Sequence, residues 1–160
     1  MASRGAVAIG RALVQRVQTR HTILFVESEP SDIELARQAA TVCSPQCDLQ
    51  VIVNADAALD WLAVVNPANL PCLILLDLQL PKLDGLAVLR KLRSNRTTRE
   101  LPMLVYSLAF TQADVLMSYQ AGANSFVAKP QDEPQFTDLF SRQLAYWLSS
   151  RHRQTDFSTP

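Results

Sequence analysis

From His21 onward, two kinds of hydrophobic pattern take turns along the chain. Thr22-Ile23-Leu24-Phe25-Val26 is a short, β-branched apolar run that stops at Glu27-Ser28-Glu29. Pro30 then suits the first turn of a helix, whose apolar side carries Ile33, Leu35, Ala36, Ala39, Ala40 and Cys43. Residues 49–53 predict a second strand. Asn54 follows as the cap of a helix bearing Ala58, Leu59, Leu62 and Val65. Pro67 and Pro71 bracket a loop. Cys72-Leu73-Ile74-Leu75-Leu76 is apolar without interruption, as expected of a strand covered on both faces, and ends abruptly at Asp77. Gly85 opens a third helix with Leu86, Leu89 and Leu92 on one side. Residues 103–106 predict strand four, and Thr111 with Asp114 reads as a capping box for helix four. Residues 125–128 predict strand five. Phe136, Leu139, Phe140, Leu144, Trp147 and Leu148 follow helical spacing in a long final helix.

Five β-α units in succession imply a parallel sheet with right-handed crossovers and helices on both faces. A chain of 160 residues suffices for one such domain, here residues 21–149, with a tail over 150–160 that turns polar and frays. Residues 1–20 hold Arg4, Arg11, Arg16 and Arg20 and no acid. Three readings compete for them: a frayed extension, a docking or dimer helix built on Ile9, Leu13, Val14 and Val17, or a misassigned start. They make a poor secretory signal, because Gly10 and Arg11 break the apolar stretch.

Composition narrows the function. Apolar residues at 48% and charged residues at 19% allow a real core and exclude wholesale disorder. Fifteen basic residues balance fifteen acidic ones, so charge gives no reason to expect nucleic acid or an anionic membrane as partner. The longest clean apolar run, residues 72–76, is far short of the ~18 residues a span needs. Cys43, Cys47 and Cys72 are odd in number and lack zinc-type spacing, so a reduced, cytoplasmic protein is expected. Cys43 and Cys47 read either as a redox pair or as two unlinked thiols, and the reduced setting favours the latter. Arg90, Lys91, Arg93, Arg96 and Arg99 read as a solvated helix face before a partner surface.

In an open α/β sheet, sites form beyond the carboxyl ends of the strands. Those ends carry Glu27, Ser28 and Glu29 after strand one, Asp77 after strand three, Ser107 after strand four and Lys129-Pro130 after strand five. A lone aspartate there is an ordinary cap, but acids, a hydroxyl and a lysine at four strand ends are hard to explain by packing. Together they suit acyl-phosphate chemistry. A carboxylate attacks phosphorus, oxygen ligands hold Mg²⁺, a lysine neutralises the phosphoryl oxygens and a hydroxyl donates to them. His21 and His152 read as surface residues.

At this point residues 21–149 resemble the receiver domain of two-component response regulators. The resemblance is carried by Leu75-Leu76-Asp77-Leu78-Gln79-Leu80-Pro81-Lys82-Leu83-Asp84-Gly85, by Gly122-Ala123-Asn124-Ser125-Phe126-Val127-Ala128-Lys129-Pro130 and by Val105-Tyr106-Ser107-Leu108-Ala109. It implies a flavodoxin-like, doubly wound, five-stranded parallel sheet of order 2-1-3-4-5. It makes Asp77 the phospho-acceptor, Lys129 and Ser107 the phosphoryl-binding groups, Phe126 the aromatic switch and Pro130 a cis-proline. Metal binding would fall to Glu27, Asp77 and the Gln79 carbonyl. Phe126 lacks a phenol, so it would report the state through packing alone.

The family has two adjacent acids after strand one, and here the second position, normally the direct metal ligand, is Ser28. Mg²⁺ binding is therefore expected to be weakened. Glu29 is poorly placed to compensate, since neighbouring side chains of an extended segment point apart. A chain ending with this domain implies a stand-alone receiver with output through protein contacts. Residues 73–85, the stretch Ser118-Tyr119-Gln120-Ala121-Gly122-Ala123-Asn124 and the final helix closing on Tyr146-Trp147-Leu148 resemble the regulators partnered with phytochrome-type sensor histidine kinases. Many of those dimerise through the face of helix four, strand five and helix five. Phe140, Tyr146, Trp147 and Leu148 fit either such a partner-facing patch or simple core packing. Two other readings stand beside phosphorylation of Asp77 by a histidine kinase. One is a pseudo-receiver that binds or dimerises without phosphate, supported by Ser28. The other is an aspartate-nucleophile phosphatase, which needs a second acid where Gln79 stands.

Overall fold

A computed structural model describes residues 21–43 and 47–152, with 150–152 described by backbone alone. Expectations for residues 1–20 and 153–160 fall outside them. Strands β1 (His21–Val26), β2 (Cys47–Ile52), β3 (Leu73–Leu76), β4 (Met103–Ser107) and β5 (Ser125–Ala128) alternate with helices α1 (Pro30–Cys43), α2 (Ala55–Val64), α3 (Gly85–Ser94), α4 (Gln112–Gln120) and α5 (Glu133–His152). The sheet is parallel in the order β2-β1-β3-β4-β5. This is the flavodoxin-like arrangement read from the sequence.

Strand periodicity divides the core in two. Ile23, Phe25, Leu73, Leu75, Leu104 and Tyr106 face α1 and α5, while Leu24, Val26, Ile74, Leu76, Met103 and Val105 face α2, α3 and α4. β2 starts two residues before the expected Leu49, because its pairing with β1 begins at His21 opposite Cys47. β4 takes in Ser107, which pairs with Ala128. α5 continues three residues past Ser149.

The local signals act as capping chemistry demands. The Asn54 side chain accepts the Ala57 N–H at 2.8 Å, and Thr111 and Asp114 form the reciprocal box. Cys43, Cys47 and Cys72 form no disulfide among the described residues.

Phe140 corrects the sequence reading. It is fully buried, 5.3 Å from the Phe25 ring and 5.7 Å from Tyr106, and stacks on Phe136. Phe136, Phe140 and Leu144 are spaced by four and therefore share the inward face of α5. Ala36, Ala39 and Ala40 belong to the same core and leave room for them. Trp147 and Leu148 pack partly against that core, and Tyr146 is the exposed member of the group.

Arg93 also departs from its expected solvated role. Its Nε donates to the Gly122 carbonyl at 2.8 Å, and Nη1 donates to the carbonyls of Arg99 and Leu101 at 2.6 and 2.7 Å. Nη2 donates to Asn124 Oδ1 at 2.6 Å, which also accepts the Met103 N–H. Gly122 has φ +104°, and a Cβ there would lie 2.8 Å from the Arg93 side chain.

Candidate functional site

Because the sheet is parallel, the ends of β1, β3, β4 and β5 deliver their residues to one edge. The Asp77 N–H extends the ladder to the Val26 carbonyl at 3.1 Å, fixing the backbone from which its carboxylate projects. The loop then returns close beneath it. A Cβ at Gly85 would lie 2.5 Å from the Asp77 carbonyl oxygen, so only glycine lets α3 start here. Asp84 caps that helix, accepting the Leu86 N–H at 3.1 Å.

Asp77 Oδ1 accepts the Gln79 N–H at 2.9 Å and the Ser107 hydroxyl at 3.0 Å. Asp77 Oδ2 accepts from Lys129 Nζ at 2.6 Å. That ammonium also donates to Glu27 Oε2 and, at 2.8 Å, to Asp32 Oδ2. Below it lies the Tyr106 ring, its centroid 5.9 Å away. The backbone of Lys129 is held independently, its N–H donating to the Ser107 carbonyl at 2.9 Å. Glu27 Oε1 accepts the N–H groups of Ser28 and Glu29, both at 2.8 Å.

Glu27, Asp77 and Lys129 are 1%, 5% and 6% exposed, so their charges are set by one another. Burial works against ionisation of Asp77. The Lys129 charge and the hydrogen bonds from Gln79 and Ser107 outweigh it and hold the carboxyl below the usual range. For Glu27 burial wins over Lys129, and its pKa is raised. Burial opposes the ammonium of Lys129, but Glu27 and Asp77 more than compensate and raise its pKa. A carboxylate and an ammonium thus face each other at Asp77 and Lys129, and the proton-accepting tendency falls on Glu27.

A cavity of about 150 Å³ opens over this cluster, lined by Glu27, Ser28, Glu29, Asp32, Asp77, Gln79, Leu108 and Lys129. Four acids against one lysine make an oxygen-rich, anionic pocket whose donor chemistry fits a hard divalent cation. Among the described residues no three acid, His or Cys side chains already stand as a metal cage. A wider groove of about 360 Å³ adjoins it, lined by Ser31, Asp32 and Leu35 of α1 and by Pro130, Gln131 and Phe136.

The expected groups after β1, β3, β4 and β5 therefore converge. The Lys129–Pro130 bond is trans, which corrects the expected cis-proline. The trans form is intrinsically preferred by about 0.5–1 kcal/mol, and with it Lys129 still reaches its partners, so packing supplies no demand for the rarer isomer. Phe126 stands on β5 away from the carboxylates, its ring edge-on to Phe110 at 4.9 Å. Glu29 turns to Ser31, whose hydroxyl donates to it at 3.3 Å. Sequence reasoning missed Asp32 and Tyr106. Asp32 reads as an ordinary acid in the first turn of α1, and Tyr106 carries no signal beyond a strand aromatic.

The model of the response regulator receiver domain matches residues 23–141. The chain belongs to this family. As a receiver it falls in a signalling family. It is 27% identical over 131 residues to the response regulator Rcp1 of Synechocystis sp., covering 80% of this chain and 89% of that protein. The phosphorylated cyanobacterial phytochrome response regulator RcpA superposes with a TM-score of 0.77 at 28% identity, over 82% of this receiver and 96% of that chain. The Mn²⁺-bound form of Rcp1 gives 0.73 at 27%, over 80% and 94%. Among the described residues no helix of the receiver is long and apolar enough to cross a membrane.

Proposed function

We propose that this receiver accepts a phosphoryl group on Asp77 from a sensor histidine kinase. One observation carries the reading: an ionised carboxylate faces Lys129 and Ser107 at the mouth of an anionic cavity. An Asp77 oxygen attacks phosphorus, forming the P–O bond of an acyl phosphate. The P–N bond to the kinase's histidine breaks, and the departing imidazole takes up a proton. Lys129 then faces phosphoryl oxygens, and Ser107 donates its hydroxyl to one of them. A divalent cation would be held by Glu27, Asp77 and the Gln79 carbonyl, with Ser28 contributing a neutral oxygen. When bound it neutralises the anions that carboxylate and phosphate bring together.

Labelling with a small acyl phosphate tests the reading: wild type should be labelled and Asp77→Asn should not. Equal labelling would remove Asp77 as the site, and no labelling of wild type would favour a phosphate-independent binding module.

The likeness to Rcp1 and RcpA supports a phytochrome-type kinase as donor, checked by phosphotransfer from such a kinase. The groove between α1 and the start of α5 borders the carboxylate cluster and suits a helical partner. For output, Leu116 and Tyr119 of α4 are 59% and 48% exposed, Tyr119 bonds to the Phe126 backbone, and the Phe110 ring lies edge-on to Phe126. They support a homodimer through α4, β5 and α5, which sedimentation with and without a beryllofluoride mimic would detect. That Cys43, Cys47 and Cys72 form no disulfide among the described residues agrees with a cytoplasmic setting.

A further inference from the structure

The position that normally carries a direct metal ligand is Ser28, yet the pocket does not lack a third carboxylate. We propose that Asp32, four residues further on in the first turn of α1, supplies the negative charge that Ser28 lacks, and so acts as a positioning residue for the divalent cation and for Lys129. The inference rests on the phosphorylation reading given above and assigns a role to a residue outside that set.

Three observations converge on Asp32. Its Oδ2 accepts from Lys129 Nζ at 2.8 Å, so one ammonium is shared by Asp32, Asp77 and Glu27. Its side chain is only 19% exposed and lines the same 150 Å³ cavity as Ser28, Asp77 and Gln79. The third observation is the Tyr106 phenol beneath the ammonium. Tyr106 is fully buried and its hydroxyl has no hydrogen-bond partner among the described residues. Burial chiefly, and then the charges of Asp32 and Glu27, raise the pKa of that phenol.

Chemistry explains why Asp32 is suited to the task. A serine hydroxyl is a weak ligand for a hard cation, and charge count is a main determinant of affinity. Asp32 occupies the third position of α1, where the N-terminal N–H groups favour a carboxylate. It is anchored to a helix rather than to the loop, so its position is fixed before a cation arrives. The ammonium occupies the space among the three acids. A cation entering on the Ser28 side would share Asp32 and Asp77 with it.

Mn²⁺ titration, read by calorimetry on the full chain with no phosphodonor, tests this directly. Asp32→Asn should weaken Mn²⁺ binding about tenfold or more, the usual effect of removing a carboxylate that orients a metal site. Adding Ser28→Asp to Asp32→Asn should bring the affinity back to within about threefold of wild type. A brace for Lys129 and nothing more would lower the melting temperature of Asp32→Asn but leave Mn²⁺ affinity within about twofold. That result would overturn the proposal, as would failure of the double variant to recover or the absence of Mn²⁺ binding by the folded wild type. Failure of the phosphorylation reading shows instead as equal labelling of wild type and Asp77→Asn, whatever the metal affinities.

Discussion

The hydroxyl of Tyr119 accepts the backbone N–H of Phe126 at 3.2 Å. β5 is an edge strand, and this bond covers one of the donors that an edge leaves open. A residue on α4 thereby fixes the backbone of the aromatic that the receiver resemblance names as the switch. Tyr119→Phe should cost about 0.5–1 kcal/mol in urea unfolding, since the bond is solvent-exposed. It should also speed hydrogen exchange at the Phe126 amide more than at the neighbouring β5 amides.

Lys129→Met removes the one ammonium that three acids share. Glu27 and Asp77 would remain buried and uncompensated, at a cost of about 3–5 kcal/mol at neutral pH. Millimolar Mg²⁺ should restore part of that loss, because a cation of another kind can then sit among the carboxylates. Urea midpoints with and without Mg²⁺ measure both effects.

Gly85→Ala drives a Cβ against the Asp77 carbonyl oxygen and the Leu78 Cα, at 2.5 and 2.6 Å. Both are backbone atoms, so relief requires the loop after β3 to shift. A loss of about 1–3 kcal/mol is expected in thermal melting, together with slower labelling of Asp77 by a small acyl phosphate.

Burial, chiefly, and then the neighbouring Cys72 and Cys43 push the Cys47 thiol from 9.0 up to about 12. The folded chain therefore holds this proton more tightly than the unfolded chain. The resulting stability is fully present below about pH 9 and is lost as pH rises from there toward 12. At pH 8, iodoacetamide should modify native Cys47 at least ~100-fold more slowly than the urea-unfolded chain, as read by peptide mass spectrometry.

The centre of the sheet was legible because β1, β3 and β4 are buried on both sides. Residues 72–76 could be little else, and the caps at Asn54 and Thr111 punctuate the helices by hydrogen bonds that depend on side-chain type. The convergence of Glu27, Asp77, Ser107 and Lys129 followed from topology, since parallel strands end on one edge. What was not legible depended on distances between elements. Asp32 reads as a routine acid in a first helical turn, and only the reach of Lys129 across two strands reveals its partner. Phe140 fits either face of α5 by pattern, and the alanines of α1 decide the matter. Arg93 hides among basic neighbours, though it alone turns inward to three carbonyls and Asn124.

That inward turn has a mechanical consequence. Arg93 and Asn124 bind the beginnings of β4 and β5 to one another and to the end of α3, at the pole opposite Asp77. Ser107 lies four residues along from Met103, about 13 Å of extended backbone. The two strands are thus rooted at one end like a pair of reeds. Ser107 and its partner Ala128 stand at the free ends, while the guanidinium holds the base where Asn124 leads into β5.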